Sequence, residues 1–299
     1  MLNTLERRAA RLFSAAMLRP ILSGAPSSPL QSELWQLRPE LGLGGDANAG
    51  SVLAAAYDLL SSSYRSEYFY KNLIASKVAV GRHRAANVVM LSEFRLGGSI
   101  ADCVFINGSG MVYEVKTEFD SPDKLDRQLA NYYRAFPLVN VVAHENTAER
   151  YLRVLDGSPT GLLVVGPRSR LSTVRVAAYS AEGFDIPTMF NALRQGEAER
   201  VLTDAFGELP LVPSGLRYAE RLSLAMTMSP DTFQSGMQAA LKRRLLRADR
   251  DLVVNPITEP LRALLFQINP NPHQAATLLR WLESKEHDFV LPVSEGKTV

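Results

Sequence analysis

Ser99-Ile100-Ala101-Asp102-Cys103-Val104-Phe105-Ile106, then Asn107-Gly108-Ser109-Gly110, then Met111-Val112-Tyr113-Glu114-Val115-Lys116 is the stretch that decides the fold. Two apolar, partly β-branched runs flank a short Asn/Gly/Ser segment, which predicts a tight β-hairpin. With the turn centred at Gly108–Ser109, residue 102 falls opposite residue 114 or 115. Glu114 and Lys116 are two apart, so they project from one face of a strand. Asp102 joins them there, while Cys103, Phe105 and Val115 face the other layer. Charges in an apolar strand are costly unless paired or bound to metal. Two carboxylates and one lysine on one face form a set suited to phosphodiester hydrolysis. That chemistry uses hard divalent cations held by carboxylates, with a positive group nearby for the transition-state charge. A Glu-x-Lys tripeptide alone arises about once by chance in a chain of this size. The competing reading is a Glu–Lys pair on the solvated face of an edge hairpin; the apolar flanks argue against it.

Outward from the hairpin, Val88–Phe94 reads as a preceding strand. Ser121-Pro122-Asp123 is a helix start, with Ser as N-cap, Pro at the first helical position and Asp favoured by the macrodipole. The helix that follows carries Leu125, Leu129, Tyr132, Tyr133 and Phe136 on its buried side and stops at Pro137. Leu138–Ala143 is a near-continuous apolar run of the buried-strand kind. A short helix at Thr147–Leu155 and strands at Gly161–Val165 and Thr173–Ala178 extend the sheet. Before the hairpin, residues 1–60 read as helices with a Gly/Pro/Ser connector at Ser23–Pro29. Helical periodicity over Ser51–Ala79 ends at Gly81. After about Ser180 only helices are expected: Ile186–Arg194, Glu197–Phe206, Gly215–Met226, Ser229–Arg247, Ile257–Gln267 and Pro272–Ser284. The expectation is therefore an α+β protein in three consecutive parts: a helical segment 1–60, a mixed-sheet core 61–180 and a helical domain 181–299.

At 299 residues, 46% hydrophobic and 21% charged, the chain is long enough to bury a substantial core. The net charge of +2 gives no global nucleic-acid footprint, so any such surface must be local. Lone Cys103 excludes an intrachain disulfide framework or a cysteine zinc site and fits a reducing cytosol, so a cytoplasmic protein is expected. No run of eighteen apolar residues predicts a membrane span. The arginine-rich opening Met1–Pro20 reads as a docked helix rather than a signal, because no apolar region follows Arg7-Arg8. Gly42–Gly50 lacks the Gly-Lys-Ser/Thr of a phosphate cradle. Arg82-His83-Arg84 reads as an exposed basic loop. Lys242-Arg243-Arg244 with Arg247 and Arg250 reads as a solvated helix face rather than a nucleic-acid groove. His83, His144, His273 and His287 show no metal spacing.

The runs Glu67-Tyr68-Phe69-Tyr70-Lys71-Asn72, Ser92-Glu93-Phe94-Arg95, Ser99-Ile100-Ala101-Asp102, Val112-Tyr113-Glu114-Val115-Lys116-Thr117-Glu118 and Arg127-Gln128-Leu129 resemble a group of bacterial proteins. That group is assigned to the PD-(D/E)XK, restriction-endonuclease-like superfamily, and the resemblance is clearest over residues 64–143. It implies a helix, three antiparallel strands, a helix and a fourth strand, in a mixed sheet flanked by helices. It further implies Asp102 and Glu114 as metal ligands with Glu67 as a first-helix carboxylate, Lys116 as catalytic lysine and Gln128 beside the site. Glu93 and Glu118 are rivals to Glu67, and Gln128 has the alternative role of capping a neighbouring strand. Here Ala-Asp stands where the motif name has Pro-Asp. The implied activity is a Mg²⁺- or Mn²⁺-dependent nuclease acting on nucleic acid, DNA ahead of RNA. The rival is a catalytically silent member of the same fold that binds nucleic acid, or a protein partner through its helical C-terminal part.

Overall fold

The computed structural model describes residues 4–24, 29–82, 88–244 and 250–289. The chain forms two compact units: Met1–Asn72 with Leu246–Val299, and Leu73–Leu245. The class is α+β, a six-stranded mixed sheet with helices at both ends of the sequence.

In the first unit, helices α1 (Thr4–Leu12), α2 (Ala15–Leu22), α3 (Pro29–Glu40) and α4 (Ala49–Ser63) pack with α13 (Arg262–Ile268) and α14 (Pro272–Glu283). The opening helix expected to about Arg19 is two, because Ser14 leaves the helix and caps α2 through Met17 N. The helix expected over Ser51–Ala79 also breaks, at Tyr64-Arg65-Ser66. There Ser61, Ser62 and Ser63 turn their hydroxyls onto the carbonyls of Asp58 and Leu59, a competition that weakens a helix end. α5 (Glu67–Ile74) restarts it and runs on as a π-helical stretch, Ala75–Arg82, so Gly81 is not the stop. The C-terminal residues return to this unit by specific bonds. Buried Asn72 donates to Glu259 O at 2.9 Å and accepts from Ala263 N at 2.9 Å, and Tyr68 OH donates to Pro260 O at 2.6 Å. Ala49 N donates to Ser284 O at 2.9 Å.

In the second unit the strand order is β1 (Val89–Leu96), β2 (Ser99–Asn107), β3 (Ser109–Lys116), β4 (Leu138–His144), β5 (Gly161–Val165) and β6 (Leu171–Arg175). β1–β2 and β2–β3 are antiparallel, β3–β4 and β4–β5 parallel, and β5–β6 antiparallel. β6 is shorter than expected and ends at Arg175. The hairpin is as tight as its sequence predicts: Asn107 pairs with Ser109, and Gly108 alone turns the chain at φ 77°, a conformation that favours glycine. Parallel β3 and β4 need a crossover. Helix α6 (Leu125–Tyr133) supplies it, led in by a 3₁₀ turn that Ser121 caps. Its stripe Leu125, Leu129 and Tyr132 lies on one sheet face with Val104, Ile106, Val112, Val139, Val141 and Leu162.

The units do not follow the three-part division expected from sequence. Helices α8 (Ile186–Ala192), α9 (Gln195–Phe206), α10 (Ser214–Ala225) and α11 (Pro230–Lys242) belong with the sheet, not with the last helices. Phe190, Val201, Phe233 and Met237 complete the same apolar core. Asp185 caps α8 and pairs with Arg134 at 2.9 Å at the end of α6. Burial alone would raise its pKa, but the Thr188 and Arg134 donors outweigh it and hold the carboxyl below its usual value.

At Gly110 a Cβ would lie 2.5 Å from the Phe136 ring, which itself packs edge-on against Phe94. Gly110→Ala should cost about 1–3 kcal/mol, the range for overpacking a filled core. Urea denaturation checks this; an unchanged midpoint would mean the ring moves aside freely.

Candidate functional site

Continuing the Cys103–Tyr113 pairing by one step sets Asp102 opposite Glu114 on the core side of the sheet. Along the strand order Glu114 is paired on its other side with Val141, so a carboxylate sits in an otherwise aliphatic row. It is 2% exposed and Lys116 is 7% exposed. Burial of this depth demands partners, and β3 and α6 supply them. Lys116 Nζ donates to Glu114 Oε1 at 2.9 Å and to Gln128 Oε1 at 2.9 Å. Gln128 Nε2 donates to Glu114 Oε1 at 2.5 Å, and Tyr132 OH donates to Glu114 Oε2 at 2.6 Å. The Tyr132 hydroxyl also lies 2.9 Å from Ile100 O, which ties α6 to β2. Burial first, then the Glu114 charge, pushes the Tyr132 phenol well above its ordinary pKa and keeps it a proton donor. Asp102 is half-buried, and its Oδ2 accepts from Val115 N at 2.7 Å.

Four of the five residues singled out from sequence are thus brought together: Asp102, Glu114, Lys116 and Gln128. Gln128 bonds the site rather than capping a strand. Glu67 belongs to the other compact unit, on α5, with its carboxylate 2.5 Å from Lys71 Nζ. Its place was implied only by resemblance, and nothing local in the sequence specifies it. The rivals do not replace it. Glu118 is exposed on the loop after β3. Glu93 is exposed in β1 at φ 53°, between the Ser92–Cys103 and Phe94–Ala101 pairs. Among the described residues no three His, Cys, Asp or Glu side chains form a metal-holding group. Tyr132 is the residue that sequence reading placed only in the core. It lies one helical turn beyond Gln128, and that spacing is the signal that would have found it.

The donor set to be tested against a cation is therefore Asp102 and Glu114. Mg²⁺ characteristically uses one or two carboxylates and keeps several waters. A carboxylate offers about four acceptor positions, and three donors reach Glu114. Two of those donors share Oε1 and one reaches Oε2, so an acceptor position is left, and a donor set of this kind suits a single hard divalent ion.

The basic run after α11 is only partly within the described residues; His83, Arg84 and Arg247 lie outside them, as does part of the Ser23–Pro29 connector. Lys242 Nζ is 3.3 Å from Ile106 O, and its burial lowers the amine pKa. Arg244 pairs with Glu197 and lies over the Phe94 ring. Both side chains brace the fold. No described helix is long and apolar enough to cross a membrane.

Residues 61–259 match the family model described as "Bacteriophage P4 protein cII", about two thirds of the chain. No curated protein matches the sequence. Among solved structures, a protein of unknown function from Silicibacter pomeroyi is similar at 18% identity and a TM-score of 0.29, over 45% of this chain and 91% of that one.

If Tyr132 and Glu114 form one unit, Tyr132→Phe should cost about 1.5–3 kcal/mol, the range for a bond to a charged group. In a double-mutant cycle with Glu114→Gln the two losses should couple by at least about 0.5 kcal/mol in urea unfolding. Additive losses would contradict a shared network.

Proposed function

We propose that this chain, which belongs to the bacteriophage P4 protein cII family, is a Mg²⁺- or Mn²⁺-dependent nuclease with Asp102, Glu114, Lys116 and Gln128 at its active centre. One observation carries the reading. A carboxylate and a lysine are buried side by side in an apolar sheet face, with a second carboxylate opposite on the hairpin. An apolar pair of similar volume would hold a core at least as well as a buried ion pair does, so the charges point to chemistry.

Asp102 and Glu114 would hold the cation, which supplies Lewis-acid polarisation of a phosphodiester and activation of water when bound. Lys116, on releasing Glu114, would hold the attacking water and stabilise charge developing on the phosphate. Gln128 reaches both Glu114 and Lys116, so it keeps the two in place as the lysine changes partner. Tyr132 orients Glu114 from the helix side. DNA is the expected substrate ahead of RNA, and the lone cysteine Cys103, buried and outside any disulfide, supports a cytosolic setting.

A second reading is a silent scaffold that binds a protein. Phe206, Leu211, Leu216, Tyr218 and Met226, in and around α9 and α10, are all exposed and favour it.

The two part on Lys116→Ala. Either way the variant loses stability, by about 3–5 kcal/mol, because Glu114 is left buried without its lysine; in a nuclease the fraction that stays folded should still bind labelled single- or double-stranded DNA or RNA while cleaving it roughly a hundredfold more slowly. Cleavage should need Mg²⁺ or Mn²⁺ and stop with EDTA. A wild type that cuts no substrate with either ion would instead support the scaffold.

A further inference from the structure

The loop joining β5 to β6 has a backbone that its residues do not favour. Gly166 N donates to Arg170 O at 2.9 Å, and Arg170 N to Pro167 O at 3.2 Å. These bonds close a four-residue turn with Arg168 and Ser169 at its centre. Arg168 has φ 52° and ψ 34°, and Ser169 has φ 56°. Two successive residues at positive φ make the mirror-image hairpin turn that Asn-Gly fills readily and that β-carbon-bearing residues resist. Gly108, at the β2–β3 turn and the opposite end of the parallel strands, meets the same demand for positive φ with a glycine. Strain of this kind is held where side chains have a task.

The side chains at this turn are cationic and solvent-facing. Arg168 and Arg170 are exposed, and among the described residues neither forms an ion pair. Their place in the sheet is fixed by register. β3, β4 and β5 run parallel, with Lys116 level with Ala143 and Ala143 level with Val164. The turn therefore lies at the same, C-terminal end of the parallel strands as Lys116. Ligands of open α/β sheets gather at that end. Two inter-strand spacings separate the strands, about 10 Å, or about three nucleotide steps at roughly 3.4 Å of rise each. Acidic groups also face this edge. Glu145 lies beside Gly166, and Asp120 is turned inward onto Thr117 N and Oγ1. The arginines of the turn are thus cations held out toward solvent at the same end of the parallel strands as Lys116.

We infer that Arg168 and Arg170 form a phosphate clamp that grips the nucleic-acid backbone a few nucleotides from the bond to be cut. This rests on the nuclease reading. A grip of this type positions the strand without reading its bases, so the clamp predicts sequence-independent, salt-sensitive binding.

The test uses two variants of the full chain and a labelled DNA oligonucleotide, single- and double-stranded. Arg168→Asn/Ser169→Gly gives the turn its preferred residues and removes one charge. Arg168→Gln/Arg170→Gln removes both charges and keeps a polar, unbranched side chain at each position. With EDTA present, both should weaken binding, the Gln pair by about tenfold or more. The Gln pair should also flatten the slope of log K against log salt by about 0.9 for each phosphate no longer neutralised. With Mg²⁺ present, the Gln pair should raise KM while leaving kcat near wild type. The Asn-Gly variant should melt at a higher temperature than wild type. A wild type that cuts, beside variants of unchanged affinity, slope and KM, would overturn the clamp and leave the nuclease standing. A lower melting temperature for the Asn-Gly variant would show that the turn holds no strain and overturn that support for the clamp. A wild type that neither binds nor cuts would remove both proposals.

Discussion

The carboxylate of Glu114 is the constraint on which the second unit depends. Breaking a buried ion pair by removing one partner typically costs about 3–5 kcal/mol, so Lys116, Gln128 and Tyr132 cannot be left to drift. Gln128 and Tyr132 are four apart on α6 and meet one side chain of β3 together. That requirement fixes the rotation of α6 about its axis. It also fixes its height, because Tyr132 must reach both Glu114 and the carbonyl of Ile100. The apolar stripe of α6 then falls on Val104, Val112 and Val139 without adjustment. Polar network and aliphatic packing specify the same crossover, the agreement between levels expected of a well-specified fold.

The same network sets how ion binding would act. Lys116 sits on Oε1 of Glu114, so under the proposed chemistry a cation approaching that oxygen would compete with the lysine, and the lysine would become available for substrate on release. Half-buried Asp102, anchored by Val115 N, is the more accessible of the two carboxylates. Charge, burial and register thus describe a pair of carboxylates of which the buried one, Glu114, is matched by its own lysine.

Much of this was legible in the sequence because it is local. Glycine at the hairpin tip, two-residue alternation of Glu114 and Lys116, Ser121-Pro122 at a helix start and the apolar run before His144 each reflect a short-range rule. The turn position alone put Asp102 opposite residue 114 or 115, and a turn of Gly108 alone makes it Glu114. What escaped depends on distant partners. The bonds from Asn72 to residues 259 and 263 link positions far apart in sequence, so the return of the last helices to the first unit left no local mark. The helices after Ser180 looked like a separate domain because their apolar faces do not announce what they cover. Helical periodicity marked Tyr132 as buried but was silent on its hydroxyl, and Glu67 carried only a family implication. The Arg168-Ser169 turn was invisible for the opposite reason: its residues contradict the conformation they adopt.

At the centre of the proposed chemistry, Asp102 and Glu114 together would receive one hard divalent ion at the expense of the Lys116–Glu114 ion pair. Anomalous scattering from crystals equilibrated with Mn²⁺ tests this most directly. The expected result is one strong peak within coordinating distance of both carboxylates, with Lys116 Nζ withdrawn from Glu114. Saturating Mn²⁺ that leaves the ion pair intact and no peak between Asp102 and Glu114 would contradict it.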